Sequence, residues 1–471
     1  MKKRIEFIFL DIRFWIILFF IIRLVGITNP PLEVAHNWRQ TVVAMVSRNF
    51  LEIDNNILYP RVDFAGEKSG ITGMEFPLLN YLIYLVSEIF GYEHWYGRLI
   101  NLIVSSFGLF YFYQLIKKYF EPKIAFNATL VLLFSIWFSY SRKIMPDTFA
   151  MSFIIVSIYY GSNYLDNKQK TNQYISLLLY ALVLSLGALS KLPSAYLLIV
   201  FVVFFLNKEI LLKRKIVFSL ASLAALFFPV LWYFYWVPYL VETYGFWHFF
   251  MGKSISQGFL EISENILPTL YRFYDTAIKY VGFGAFLFGL IYGIINKQRM
   301  LIYVLTISFL GFLIVIFKAG FHFPHHSYYI IPFVPVMALV AGYGIVILPI
   351  KYQCILLGLI AVEGIANQQH DFFIKENQVY QLKLEEKVAQ FIGKNDLVII
   401  NGGDSPQAIY FAHRKGWTAK NEEIQTPLFM DSLTNLGAKY LIIDKVNVDL
   451  KMLPYHLIND DDDYSIYQLK N

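Results

Sequence analysis

Residues 173–207 read QYISLLLYALVLSLGALSKLPSAYLLIVFVVFFLN, two apolar runs separated only by Lys191 and Leu192. Crossing the roughly 30 Å of membrane hydrocarbon as helix takes about 20 mostly apolar residues. The stretch therefore predicts a tight helical hairpin, 173–190 and then 193–207, with its lysine at a membrane face. Apolar windows continue outward on both sides. They cover 8–27, 98–116, 124–141 and 147–165 before the hairpin, and 216–236, 275–295, 300–317, 328–348 and 352–367 after it. The expected fold class is an all-α polytopic membrane protein with eleven spans.

Composition excludes the soluble alternatives. Of 471 residues, 57% are hydrophobic and 16% charged, against about 45–50% and about 25% in soluble domains. The mean hydropathy is +0.50. A soluble enzyme, a disordered chain and a disulfide scaffold are all ruled out, the last because Cys354 stands alone. The opening Met-Lys-Lys-Arg and the apolar stretch that follows lack a small-residue cleavage pattern and read as a retained first helix.

Lys and Arg set the orientation. With the N-terminus in the cytoplasm, the inner segments hold about 16 in about 44 residues, the outer ones about 11 in about 128. An odd span count then puts the C-terminus outside. The net charge of +6 is explained by this asymmetry, and no nucleic-acid partner is expected.

The outer side is the elaborate one. In the first outer loop, 28–97, a helix over 40–52 places Val43, Val46 and Phe50 on one face, and a second covers 76–91. The second is too short to span, and both are expected to lie in the outer interface. Polarity rises after 370. Strands at 397–400 and 439–443, helices at 405–414 and 427–437, and a last strand at 464–469 predict a small α/β domain. The expected organisation is a membrane domain 1–369 and an outer domain 370–471. The aspartates 460–463 are read as a solvated turn in preference to a calcium loop.

No Walker loop, dinucleotide fingerprint, HExxH or CxxC is present. No cofactor or metal is expected, a divalent ion being left open without a motif that points to one. What remains is charge at the outer helix ends. Asp147, beside Arg142 and Lys143, is either a helix cap or a carboxylate facing a cavity. Glu75 is either dipole compensation or a base. Asp63 and Glu67 are loop carboxylates, solvated or functional. His36, Trp38 and Arg39 form a polar-aromatic cluster. Lys191 either snorkels to headgroups or binds substrate. His322, His325 and His326 precede Tyr328 without a metal-ligand spacing; they either donate to a lipid phosphate, which suits them better than zinc, or are structural.

Seven segments, in this order and topology, carry a resemblance. They are His36-Asn37-Trp38-Arg39-Gln40, Ser47-Arg48-Asn49-Phe50, Glu75-Phe76-Pro77-Leu78, Gly97-Arg98-Leu99, Met145-Pro146-Asp147, Ser190-Lys191-Leu192 and His326-Ser327-Tyr328-Tyr329. Together they resemble the C-type (GT-C) integral-membrane glycosyltransferases, within them the protein O-mannosyltransferase and lipid A aminoarabinose transferase group. Members usually carry an Asp-Glu pair early in the first outer loop as the base. Here, counted back from Ser47, that place holds Arg39-Gln40. The base would then be Asp147, Glu75 or Asp63, unless the correspondence shifts by a few residues.

The resemblance implies a polyprenyl-phosphate sugar donor and a lipid, glycan or protein acceptor at the outer face of a bacterial inner (plasma) membrane. A carboxylate would deprotonate the acceptor hydroxyl, and the sugar would invert in a single displacement. His36, Arg39, Arg98, Lys191, His325, His326 and Tyr328 would bind the phosphate or its neighbourhood. The rival readings are a secondary transporter or flippase and a polysaccharide polymerase or ligase. Transporters show paired repeats and midplane charges, whereas Glu363 is the main ionisable residue within these spans.

Overall fold

The computed structural model describes residues 10–166, 172–247, 252–446 and 453–469. The Met-Lys-Lys-Arg start, the first two positions of the window 8–27, and Lys168 and Lys170 of the expected inner loop lie outside them. The chain divides into two compact units. One comprises Met1–Ile27, Arg98–Phe234 and Phe250–Phe372, the other Thr28–Gly97, Tyr235–Phe249 and Phe373–Asn471. The long loop 28–97, assigned from the sequence to residues 1–369, groups with 373–471.

The first unit is helical, and the count of eleven spans is not confirmed. Among the described residues, six helices are long and apolar enough to cross a membrane: Tyr96–Tyr119, Gln173–Ser190, Leu212–Tyr244, Arg299–Ala319, Ser327–Val346 and Ile350–Phe372. A seventh counts if the bent pair Ile266–Ala277 and Lys279–Ile295 is one span. Helix fills the other expected windows in shorter or more polar form. Ile12–Ile22, Pro122–Phe134 and Leu192–Leu206 are short, and Pro146–Asp166 carries Ser152, Ser157, Ser162 and Asn163 among its apolar residues.

Local chemistry explains the shortfalls. The window 124–141 stops at Phe134 because Ser135 is extended, and its Oγ accepts from the amide of Trp137 at 3.1 Å. Gln368 satisfies the break, donating to the Ser135 carbonyl (3.0 Å) and accepting from the Ser139 amide (3.2 Å). The window 275–295 breaks at Ile278, where the two helices meet at 96°. Lys279 there has φ +60°. Glu363 accepts from the amides of Tyr280 (3.2 Å) and Val281 (2.9 Å), so the one acid prominent within the spans caps a broken helix. Small residues permit the close packing usual in membranes: a Cβ on Gly342 would overlap the backbone of Ala128.

The second unit is an α/β body. Strands β1 (Leu397–Ile400), β2 (Gly416–Thr418), β3 (Ala438–Asp444), β4 (His456–Asp460) and β5 (Tyr464–Gln468) form one sheet in the order β2-β1-β3-β5-β4. The first three are parallel; β5 runs antiparallel to both β3 and β4. The expected strands at 397–400, 439–443 and 464–469 are present, while β2 and β4 were not anticipated. Alternate residues feed two cores: Val398, Ile400 and Ile442 pack with the helix Gln407–Ala412, and Ile399, Leu441 and Ile443 with Pro427–Asn435. The aspartates form a turn as read, with Asp461 Oδ1 accepting from the amides of Asp463 and Tyr464 at 2.9 Å each.

The loop helices behave differently from each other. Leu78–Phe90 buries Leu79, Ile83 and Tyr84 and exposes Leu85, Ile89 and Phe90, an amphipathic helix. Asn37–Glu52 is buried at every position from Gln40 to Phe50. It has no apolar face left for a lipid surface, so its expected interfacial placement is withdrawn.

At the end of that helix, Glu52 accepts from His413 Nε2 at 2.9 Å, and Glu385 faces His413 Nδ1 at 2.6 Å. The hydrogen bond from His413 lowers the Glu52 carboxyl to about 2 from its usual 4.5. A depressed carboxylate stabilises the fold above its unfolded value and loses that contribution as pH falls towards the folded value. Acidification between about pH 4.5 and 2 is therefore expected to lower Tm more in the parent than in Glu52→Gln, which scanning calorimetry across that range would check.

Candidate active site

A pinned loop presents Asp147. Asn101 donates through Nδ2 to the carbonyls of Tyr140 (3.1 Å), Lys143 (2.8 Å) and Met145 (3.2 Å). Thr148 Oγ1 donates to Asn101 Oδ1 and to the Tyr140 carbonyl, both at 3.1 Å. Pro146 then opens the helix Pro146–Asp166 with its fixed φ, and Asp147 falls in the first turn.

Lys191 meets Asp147. It stands between Gln173–Ser190 and the 3-10 segment Leu192–Val200, and its Nζ donates to Asp147 Oδ1. The same ammonium lies 4.6 Å above the Tyr328 ring and 6.0 Å from that of Tyr329. Asp147 is 3% and Lys191 7% exposed. The second oxygen of Asp147, Oδ2, is buried without a hydrogen-bond partner among the described residues. Leaving half a carboxylate unsatisfied costs free energy that a purely structural pair would avoid. The arrangement has an acceptor free for a hydroxyl proton and a cation beside it.

Other predicted residues of this unit are placed as follows. Arg98 is fully buried and donates to the Ile27 carbonyl at 3.4 Å. His326 stacks between His322 (5.7 Å) and Tyr328 (5.4 Å), so it adjoins the ring beneath Lys191. His325 turns away, its ring 3.9 Å from that of Phe321 and its Nδ1 2.7 Å from the Phe321 carbonyl. Sequence reading missed Asn101, Tyr140 and Asp371. Tyr140 Oη and Ser327 Oγ share a hydrogen bond at 2.6 Å, and Lys143 pairs with Asp371 at 3.3 Å. The signal for Asn101 was a carboxamide in an otherwise apolar stretch.

In the second unit, Glu75 and Arg39 form an ion pair, so the proposed base and a proposed phosphate ligand hold each other. His36, which precedes Asn37–Glu52, has φ +55° after Ala35 at +64°. Two successive left-handed residues other than glycine are strained backbone of the kind kept at functional sites. Asp63 is otherwise engaged: Oδ2 accepts from Arg48 at 3.0 Å and Oδ1 from Asn49 at 2.7 Å. Among the described residues, no cluster of three or more His, Cys, Asp or Glu is arranged for a metal.

Residues 75–233, which include Glu75, Arg98, Asp147 and Lys191, match the sequence family described as dolichyl-phosphate-mannose-protein mannosyltransferase. No curated protein sequence matches. Among solved structures, ArnT from Cupriavidus metallidurans bound to undecaprenyl phosphate is similar at 13% identity and TM-score 0.63, over 96% of this chain and 98% of that one. The archaeal oligosaccharyltransferase AglB from Archaeoglobus fulgidus, in complex with an inhibitory peptide and a dolichol-phosphate, is similar at 11% identity and TM-score 0.57, over 92% and 69%. The chain has the fold of the C-type integral-membrane glycosyltransferases.

Proposed function

We propose that this protein transfers a sugar from a polyprenyl-phosphate donor to a hydroxyl of a lipid, glycan or protein acceptor. The observation that carries the reading is the chain-long likeness in fold to a protein bound to undecaprenyl phosphate. The buried Asp147–Lys191 pair, with one carboxylate oxygen unengaged, supports it chemically.

In this reading Lys191 attracts the donor phosphate, held against two tyrosine rings that keep the ammonium desolvated. Asp147 accepts the proton of the acceptor hydroxyl through Oδ2. The hydroxyl oxygen bonds to the anomeric carbon from the side opposite the phosphate. The anomeric C–O bond breaks with its electron pair going to the phosphate, which leaves as polyprenyl phosphate, and the sugar inverts. Tyr328 and His326 shape the cation's surroundings. Glu75 with Arg39 is the alternative carboxylate–cation pair. No cofactor is proposed for this chemistry, and a divalent ion is left open.

The site faces the outside of the plasma membrane of a bacterial envelope, with the N-terminus cytoplasmic and the C-terminal residues outside. The Lys/Arg asymmetry supports that orientation. A phosphatase reporter fused after Asn471 is expected to be active and a fluorescent protein there dark; the reverse pattern would invert the topology. Purified protein incubated with a panel of polyprenyl-phosphate sugars and lipid, glycan and peptide acceptors is expected to release polyprenyl phosphate with at least one donor. No release with any donor, alongside substrate counterflow in vesicles, would favour a transporter.

A further inference from the structure

The second unit holds a cavity of about 400 Å³ for which the transfer reaction has no use. It opens where the parallel strands end. Asn401 to Ser405 follow β1, Lys420 to Glu422 follow β2, and Asp444 closes β3. The segment Glu376–Lys383 adds Gln378 and Gln381. In the order β2-β1-β3, the chain leaves β1 to one side, returns past it to the other, and covers opposite faces with the two helices named above. In open α/β sheets, a crevice at the carboxyl ends of strands that part in this way is where ligands bind.

Its chemistry selects a ligand class. Five lining side chains are carboxamides: Gln378, Gln381, Asn401, Gln407 and Asn421. Two of them are half engaged among the described residues: Gln381, 7% exposed, donates through Nε2 to Gln378 (3.4 Å) while its Oε1 accepts nothing, and Gln407 accepts through Oε1 from Ser405 (3.3 Å) while its buried Nε2 donates to nothing. Each carboxamide carries both a donor and an acceptor, so a lining rich in them suits a partner whose groups both give and take hydrogen bonds. A sugar hydroxyl does both. Among the described residues no aromatic side chain lines the cavity to stack a base, and Lys420 is outnumbered there by Glu422 and Asp444, so the charge does not favour a phosphate. Asn401 fixes the rim, its side chain bonding the Asp444 amide (2.7 Å) and carbonyl (3.0 Å).

We infer that this crevice is a binding site for a neutral, hydroxyl-rich ligand, a residue of a glycan. The inference stands on the cavity alone and is independent of the transfer reading.

The test uses the full chain in lipid nanodiscs, with mannotetraose, chitotetraose and maltotetraose as probes and inorganic phosphate and ATP as anionic controls. Hydrogen exchange is expected to show 401–407 and 420–422 protected by at least one tetrasaccharide and by neither anion. Gln381→Leu and Gln407→Leu each remove one hydrogen-bonding group and should weaken binding about three- to tenfold. Each deletes one unsatisfied buried atom together with one long hydrogen bond, 3.4 Å for Gln381 and 3.3 Å for Gln407, so Tm should change little. Protection by none of the three sugars, protection by phosphate or ATP instead, unchanged affinity in both variants, or a loss of Tm in both would overturn the inference. Sugar transfer that persists in any of those cases would leave the transferase reading intact.

Discussion

Asp147→Asn is expected to slow sugar transfer by about 10²- to 10⁴-fold, the usual effect of removing a general base, while the protein folds and inserts as before. The substitution is nearly isosteric, and its amide oxygen still accepts from Lys191 where Oδ1 does now. What disappears is the proton acceptor at the unengaged Oδ2. The companion variant separates chemistry from stability. Lys191→Met leaves the Asp147 charge buried without its cation, and breaking a buried pair in this way typically destabilises by about 3–5 kcal/mol. The double variant Asp147→Asn/Lys191→Met removes both charges and should recover much of that stability with no recovery of turnover. Single-turnover rates per folded molecule, with Tm measured in parallel, decide the matter. A single Asp147→Asn variant that transfers sugar at the parent rate would move the base to Glu75.

The longer spans, the sheet's central strands and the polar residues at the start of Pro146–Asp166 were legible because each rests on local pattern. Apolar windows, a run such as Leu397-Val398-Ile399-Ile400, and Pro-Asp at a helix start all act within a few residues of sequence. What was not legible depends on partners far along the chain. Nothing near Ser135 announces a break that Gln368 satisfies from more than 200 residues away. Likewise Glu363 stands out in the sequence only as an acid within a span, and its duty shows once the helix it caps is seen to restart at Lys279. The interfacial assignment of Asn37–Glu52 failed for a related reason. Its Val43, Val46 and Phe50 face is real, but Ser47, Arg48 and Asn49 are buried too. A face of polar residues can be covered by protein when each finds a partner, and hydropathy alone does not show this. Strand β2, three residues long around Trp417, gives too little pattern to detect.

Arg48 and Asp63 supply the sharpest case of a candidate base with a structural duty. Asp63 gives both oxygens to Arg48 and Asn49, and the guanidinium lies 4.4 Å above the Tyr410 ring while donating to the Tyr410 carbonyl at 3.1 Å. Tyr410 Oη in turn bonds Tyr92 Oη at 2.7 Å. Arg48 is 6% and Asp63 8% exposed, so neither charge is screened by solvent. Arg48→Met keeps the length of the stem but strands the Asp63 carboxylate, and is expected to cost about 3–5 kcal/mol, a large share of the roughly 5–15 kcal/mol of a typical domain. Asp63→Asn should cost less, since its oxygen still accepts from Arg48 or Asn49. If the two residues act as a pair, the double variant will be less destabilised than the sum of the singles, by about 0.5–3 kcal/mol. Limited proteolysis across a denaturant series would measure this. The decisive number is the transfer rate of Asp63→Asn per folded molecule. A rate near the parent's assigns Asp63 to the scaffold. A loss of 10²-fold or more with Tm intact would make Asp63 the base after all, and Asp147 the residue that positions Lys191.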